Sequence, residues 1–489
     1  MRRFGERWRS ISALDQFLIV LSVVYIAKQV LFVFAFAPFT GHDEVAHYGY
    51  VRTVATEGRL PVLPELETWQ AAVARGEQPA FDGLPSELYP YCRYALRWNC
   101  QPDEARWLAN PPRMESFNGI LYPTGYQYVA NHPPLYYLLM TPVYRLTEGA
   151  TPETQHYWLR LAAIPFGLAT VWLSARLART LFPGDAFLGL TVPTFVAFQP
   201  QISYEAAMVN NDILAIALAT WVLYLVVRGI RDRFPVATCV WLGVALGLAV
   251  VAKSTSLTLA PVIALAIVGV VGWRNVGTWV LSGALVVVPA AVIAAPWYLF
   301  LFRTYGNADA LDQLEKLQYW NYGGNAHPGW GDLLLNANFV AMRFRETWGE
   351  FGWRLLPLEE EVLWAIALPI LASVGGLLAY LRFSGRTVVG EDDPVMRPEG
   401  WQRLTLAVLA ATCLIAYLAV VGFGLRFELT QARYFFPAMT AAAVLLLLGL
   451  RTLIPGQYRR YAQGVFFAAM VALNVVIFSQ YVLPFFVRG

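Results

Sequence analysis

DQFLIVLSVVYIAKQVLFVFAFAP, residues 15–38, runs almost at once into Thr40-Gly41-His42-Asp43-Glu44-Val45-Ala46-His47, and this junction decides how the chain is read. The first stretch is apolar and long enough to cross a bilayer. The second places two carboxylates where that helix meets water. Acidic pairs at such a boundary are costly beside lipid, so they point to function. A long polar loop follows, which sets any chemistry at one membrane face.

The rest of the composition agrees. Of 489 residues, 57% are hydrophobic and 14% charged, and the mean hydropathy is +0.47. A soluble protein of this length carries far more charge. The apolar residues gather in long runs, the mark of a polytopic membrane protein. Met1 to Ser10 is basic, but the run behind it is a full span, so it reads as an uncleaved signal-anchor. A net charge of +3 is too small to indicate nucleic acid.

Hydropathy predicts an all-α chain of about eleven membrane helices: 14–37, 158–180, 186–203, 213–230, 236–252, 256–272, 277–301, 363–382, 403–424, 434–451 and 464–486. His132-Pro133-Pro134-Leu135 to Arg145 is apolar but short and broken by Pro142, so it reads as a juxtamembrane or re-entrant helix. Positive charge tests that choice. With the segment not spanning, Arg2, Arg3, Arg7 and Arg9 share a side with Arg176, Arg179, Arg228, Arg231, Arg233, Arg274 and Arg451. This is the asymmetry the positive-inside rule requires, and it puts the N-terminus inside and the C-terminus outside. The whole of 1–489 is then one membrane domain. Loops 39–157 and 302–362 lie outside with all five histidines, and loop 383–402 lies inside as a solvated linker.

Several outer residues carry chemistry. Thr40 to Glu57 reads as a short helix with Thr40 as N-cap, and Asp43 either completes a capping box or does chemistry. On that helix His47 shares a face with Asp43 and Glu44. Val209-Asn210-Asn211-Asp212 opens another span, where Asn211 and Asp212 suit either a cap or a metal or sugar contact. Lys253 either snorkels or holds a phosphate beside Ser254, Thr255 and Ser256. Arg433, in Gln431-Ala432-Arg433-Tyr434, needs an anion or a carbonyl cluster, with Glu428 the plain partner and phosphate the functional one. Glu346-Thr347-Trp348-Gly349-Glu350-Phe351-Gly352-Trp353 is either an aromatic platform for a sugar or isoprenoid, or an interfacial belt. Cys92 and Cys100 are close enough to pair if their loop is outside; otherwise they are free thiols. Cys239 and Cys413 read as packing residues. No phosphate-cradling G-x-x-x-x-G-K-[ST] loop and no dinucleotide loop occurs. An outer-face enzyme therefore needs a donor activated in advance, and a lipid-linked phosphosugar fits.

In these elements the chain resembles the GT-C superfamily of multispanning glycosyltransferases that use polyprenyl-phosphate sugars. It is most similar to bacterial members akin to the protein O-mannosyltransferases and the aminoarabinose transferase of lipid A. The elements run in order: Asp43-Glu44 with His47, His132-Pro133-Pro134-Leu135, Asn210-Asn211-Asp212, Lys253, Trp348 to Trp353, and Gln431 to Tyr434. The resemblance implies a GT-C-like bundle in a bacterial inner membrane, with an outward cavity. It implies Asp43 as catalytic base supported by Glu44, and Lys253, Arg433 and His132 around a donor phosphate. His47, Asp212, Asn211, Tyr434, Trp348 and Glu346 are further substrate or metal candidates. The aminoarabinose transferase has a lysine where His132 stands, which weakens the phosphate role there. The expected partners are a polyprenyl-phosphate sugar, an acceptor hydroxyl on glycan, lipid or protein, and the bilayer. No cofactor is fixed by the sequence; a divalent metal is the open candidate, since Asp43, Glu44, His47 and Asp212 are ligand types that suit one. The expected reaction is an inverting displacement, with Asp43 tuned upward in pKa as base. The competing classes are a flippase for lipid-linked sugar, which would use a midplane site, and a ligase for whole glycans.

Overall fold

The computed structural model describes residues 12–95, 114–309, 311–318, 322, 326–385 and 393–486. The expected spans are helical, but 186–203 breaks at Gln199 into Ala186–Phe198 and Pro200–Glu205. Nine helical stretches are long and apolar enough to cross a membrane among the described residues, from Ala13–Ala35 to Gly456–Phe486. Ala186–Phe198 and Val236–Ala252 are two shorter apolar helices between them. Leu135–Leu146, with Pro142 inside, has 12 residues. At 1.5 Å per residue it is too short to span. The chain is a polytopic all-α membrane protein.

The helices start where local chemistry allows it. Thr151 Oγ1 accepts from the Thr154 N–H at 3.4 Å and Pro152 occupies the first turn, opening Pro152–Leu181. Asp185 caps Leu188 N at 2.8 Å, and Gln199 caps Ile202 N at 2.6 Å. Lys28 lies within the first span, yet it is satisfied. Its ammonium donates to Ser203 Oγ at 2.6 Å and to the Ala197 carbonyl, and the rings of Tyr25, Phe32 and Phe198 surround it.

Two polar ends result. At one end Arg179 meets Asp15 at 2.5 Å. Arg451 there bridges Asp185 at 2.7 Å and Asp393 at 2.8 Å, and Arg459 also reaches Asp393 at 2.8 Å. The other end carries the two long loops. The first holds helices Glu44–Glu57 and Leu66–Ala74, a 3-10 turn Ser86–Tyr94, and an antiparallel hairpin pairing Met114–Phe117 with Ile120–Pro123. It has its own apolar core around Phe39, Tyr50, Leu88, Tyr136 and Tyr137, apart from the bundle's. The second holds Asp312–Leu317, Ala337–Trp348 and a short hairpin pairing Glu350–Phe351 with Leu356–Pro357. Cys92 lies within the 3-10 turn, while Cys100 lies outside the described residues; Cys239 and Cys413 are free thiols.

Helices Glu360–Phe383 and Met439–Leu453 cross backbone to backbone at Gly376 and Gly449. A Cβ on Gly449 would enter the Ser373 carbonyl, and one on Gly376 would enter the Gly449 carbonyl. Small residues permit this close approach in membrane bundles. Gly449→Val should therefore cost about 1 to 3 kcal/mol and lower the thermal unfolding midpoint in detergent. Gly464→Ala, where nothing lies within 4 Å, should not; equal effects would contradict the crossing.

Candidate functional site

The site begins with an arginine inside a membrane helix. Arg160, in Pro152–Leu181, is fully buried. It donates to three carbonyls at the end of the first span: Val33 O at 3.1 Å, Phe36 O at 2.8 Å and Ala37 O at 3.0 Å. A helix end leaves such carbonyls without partners. The same guanidinium grips Glu44, Nε to Oε1 at 2.9 Å and Nη2 to Oε2 at 2.6 Å. Glu44 also accepts from the N–H groups of Gly41 at 2.7 Å and Val209 at 2.8 Å, and His156 Nε2 stands 3.0 Å away. Burial works to raise the Glu44 carboxyl, but Arg160 and His156 hold it below its ordinary value. A side chain on Gly41 would meet the Glu44 carboxyl at 2.6 Å, so this turn requires glycine.

This clamp changes the expected capping. Thr40 does not cap the helix, since its hydroxyl donates to Ala37 O at 2.8 Å. The helix starts at Glu44, and Asp43 precedes it in the left-handed region, φ +58°, with no capping bond from its side chain. With Glu44 folded back into the clamp, Asp43 is presented to a cavity instead. Its Oδ2 accepts from Arg433 Nη2 at 2.7 Å and its Oδ1 from Tyr128 at 3.3 Å. Arg433 Nη1 also reaches Asp212 Oδ2 at 3.4 Å, and Lys253 donates to Asp212 Oδ1. Two acids and two bases thus form one chain. Lys253 lies over the Tyr434 ring, 5.1 Å from its centroid. Arg433 is partnered by Asp43 and Asp212, and not by the nearby Glu428 as its spacing suggested. Burial alone would raise the Asp43 carboxyl; the Arg433 guanidinium overrides this, helped by His47, and takes it to about 2. That is opposite to the upward tuning expected from a dry cavity, because the counter-charge is in contact.

Local structure places each member. Asn210 Oδ1 accepts from the N–H groups of Asp212 at 2.9 Å and Ile213 at 3.3 Å, which opens Asp212–Asp232 and frees the Asp212 carboxylate. Asn211 donates to Ala252 O at 2.8 Å and holds the chain just before Lys253. Glu346 accepts from Ala432 N at 2.8 Å and meets Arg354 at 2.6 Å and Arg343 at 3.1 Å, so it positions Arg433 from behind. His47 Nδ1 and His132 Nδ1 both approach the Tyr137 hydroxyl, at 2.9 and 3.2 Å. Burial lowers both imidazoles, His47 to about 4 and His132 well below its ordinary value, so both are neutral near pH 7.

Asp43, His132, Lys253, Arg433 and Tyr434 line one cavity of about 430 Å³. Trp348 does not reach it: it is buried against Phe195, with centroids 5.7 Å apart. Trp353 lines the cavity in its place. Arg160, Tyr128, Tyr137 and Asn131 are the residues that sequence reasoning missed, while Trp353 stood within the aromatic motif without being singled out. Arg160 did carry a signal, a charge inside an apolar span. Asp43 and Asp212 are ligand types, but each is held by a cation. Among the described residues no group of three or more His, Cys, Asp or Glu side chains converges as a metal site.

Comparison with known proteins adds three findings. No curated protein sequence matches the chain. Among solved structures it is similar to the Archaeoglobus fulgidus oligosaccharyltransferase complexed with Zn and sulfate, at 12% identity and a TM-score of 0.49, over 96% of this chain and 53% of that one. The chain thus spans about half that protein's length. It is also similar to ArnT from Cupriavidus metallidurans. For the apo state the identity is 15% and the TM-score 0.39, over 90% of this chain and 78% of that one. For the form bound to undecaprenyl phosphate they are 15% and 0.35, over 98% and 85%. The model of a family described as predicted membrane proteins, DUF2142, matches residues 28–441, and the chain belongs to that family.

Proposed function

We propose that this chain is a glycosyltransferase that moves a sugar from a polyprenyl-phosphate donor to an acceptor hydroxyl at the outer face of a bacterial inner membrane. One observation carries the reading. A single cavity is lined both by Asp43, Lys253 and Arg433 and by apolar side chains such as Leu257, Leu311, Leu314 and Phe427. The apolar wall suits an isoprenoid, and the two cations suit its phosphate. The arginine-rich connectors at the opposite end support an outward-facing site.

In this mechanism the donor phosphate takes up Lys253 and Arg433; the Arg433 Nε has no hydrogen-bond partner among the described residues. As Arg433 turns to the phosphate its hold on Asp43 loosens, and the carboxylate regains basicity. The acceptor oxygen then attacks the anomeric carbon. The carbon–oxygen bond to phosphate breaks, its electron pair stays with the phosphate, and Asp43 receives the acceptor's proton. Lys253 and Arg433 stabilise the charge that grows on the leaving group. One direct displacement inverts the anomeric centre. The acceptor is a hydroxyl of a glycan, lipid or protein. Glu44 supports Asp43 by fixing the turn rather than by touching substrate.

Asp43→Asn should lower kcat by about two to four orders of magnitude in transfer from a polyprenyl-phosphate sugar. A wild-type rate would remove Asp43 as base. Lys253→Ala should weaken donor binding by about tenfold to a hundredfold; unchanged affinity would count against phosphate contact. Glu44→Gln is expected to act on stability instead. It leaves Arg160 buried without its counter-charge, at about 3 to 5 kcal/mol, and a normal unfolding midpoint would contradict the clamp. The neutral histidines set the acid limit. His47 is unprotonated in the fold down to about pH 4 and protonated when unfolded below about 6.5. The unfolded state therefore binds more protons between these values, and stability should fall as pH drops through that window. His47→Gln should flatten the slope of unfolding midpoint against pH there; an unchanged slope would contradict a neutral His47.

A further inference from the structure

We infer that His132 accepts a hydrogen bond from a hydroxyl of the donor's sugar at Nε2, and is not a phosphate ligand, because Tyr137 and His47 fix its tautomer; the sugar contact rests on the lipid-phosphate donor reading above.

Three side chains form one hydrogen-bonded chain beside the cavity. His47 Nδ1 and His132 Nδ1 stand 2.9 and 3.2 Å from the same Tyr137 oxygen. Tyr137 and His47 are buried, while His132 is partly exposed and lies on the cavity wall. The phenol is held in place. Its ring stacks on Tyr50, with centroids 3.6 Å and planes 6° apart, and Tyr136 meets it edge-on at 5.6 Å. Tyr50 in turn donates to the His132 carbonyl at 3.1 Å. Pro133 and Pro134 restrict the backbone at and after His132.

A phenol has one proton. It donates to one of the two imidazoles and must accept from the other. Burial keeps both rings neutral and keeps the proton on the phenol. Each ring then carries a proton on one nitrogen and a lone pair on the other. The two histidines are therefore opposite tautomers. Distance and charge decide which is which. An O–H donor sits closer to its acceptor than an N–H donor does. The Tyr137 hydroxyl thus donates across the 2.9 Å contact to His47, and His132 Nδ1–H donates across the 3.2 Å one. His47 then bears its proton on Nε2, and His132 has its lone pair there. The surrounding charges agree. Asp43 is the strongest charged neighbour of His47, and a carboxylate favours an N–H. Lys253 disfavours positive charge at His132, which favours a lone pair.

With Nδ1 held by Tyr137, Nε2 is the nitrogen left for a ligand. A lone pair accepts a hydrogen bond, and an ionised phosphate oxygen has no proton to give. A sugar hydroxyl has one. When the donor phosphate lies on Lys253, the sugar is the group bonded to it, and His132 lines the same cavity. The ring orients the sugar for displacement without taking up a proton. Tyr137 and His47 are positioning residues that act through it.

The test has two parts, both on the full chain in detergent. Nitrogen-15 NMR of histidine-labelled protein near pH 7, assigned with His132→Gln and His47→Gln, should show His132 protonated on Nδ1 and His47 on Nε2. Tyr137→Phe keeps the ring but removes the hydroxyl, and His132 should then sample both tautomers. His132 protonated on Nε2, or the same tautomer in both rings, overturns the inference. In binding, His132→Phe should weaken a polyprenyl-phosphate hexose by about threefold to tenfold and leave bare polyprenyl phosphate unchanged. His132→Gln should recover part of the loss through its amide oxygen. Equal loss for both lipids would make His132 a phosphate contact or a packing group, and no loss for either would leave it without a ligand; each result overturns the inference. A wild-type chain that binds neither lipid removes the donor reading and the sugar contact with it, while the spectrum still decides the tautomers.

Discussion

The buried pair of Arg160 and Glu44 is the constraint on which the site depends. A lone guanidinium in a membrane helix is untenable, and so is a lone carboxylate. Here each supplies what the other lacks, and the remaining donors of Arg160 satisfy the carbonyls where the first span ends. The Val209 N–H ties the same carboxylate to the start of a later span. One side chain therefore joins the first span, the second, the first loop and the segment before Asp212. This geometry leaves Asp43 in a left-handed turn with its carboxylate at the cavity.

From that anchor the electrostatics follow. Asp43, Arg433, Asp212 and Lys253 form an alternating chain with no net charge, which lets four ionised groups stay beside an apolar wall. An anion entering the cavity must compete for cations that are already paired. In the proposed reaction this competition has a use: the phosphate that binds Arg433 relieves the carboxylate that must accept a proton. A base held to about 2 would be idle at neutral pH, and so would protect a reactive site from needless chemistry.

Much of this was legible in sequence. The apolar runs are helical, nine stretches being long enough to span among the described residues, and Pro142 together with short length sets 132–145 apart from them. Asp43, His132, Lys253, Arg433 and Tyr434 converge from four separate regions of the chain, as their shared position at one set of helix ends implied. What could not be read was pairing across long separations. Arg433 has Glu428 five residues away, yet it bonds Asp43 from the opposite end of the chain. Adjacent carboxylates look alike in a sequence; only the approach of Arg160 makes Glu44 structural and leaves Asp43 available. The choice between Trp348 and Trp353 turned on a left-handed turn that composition does not encode, because neither Trp353 nor Arg354 favours it.

The central claim is that one lipid phosphate lies between Lys253 and Arg433 and displaces Asp43 from the arginine. The most direct measurement is a cryo-EM map of the purified chain with bound polyprenyl phosphate. The account predicts phosphate density within about 4 Å of both Lys253 Nζ and the Arg433 guanidinium, with the Asp43 contact to Arg433 opened. Lipid density elsewhere, with the Asp43–Arg433 pair intact beside it, would contradict the account.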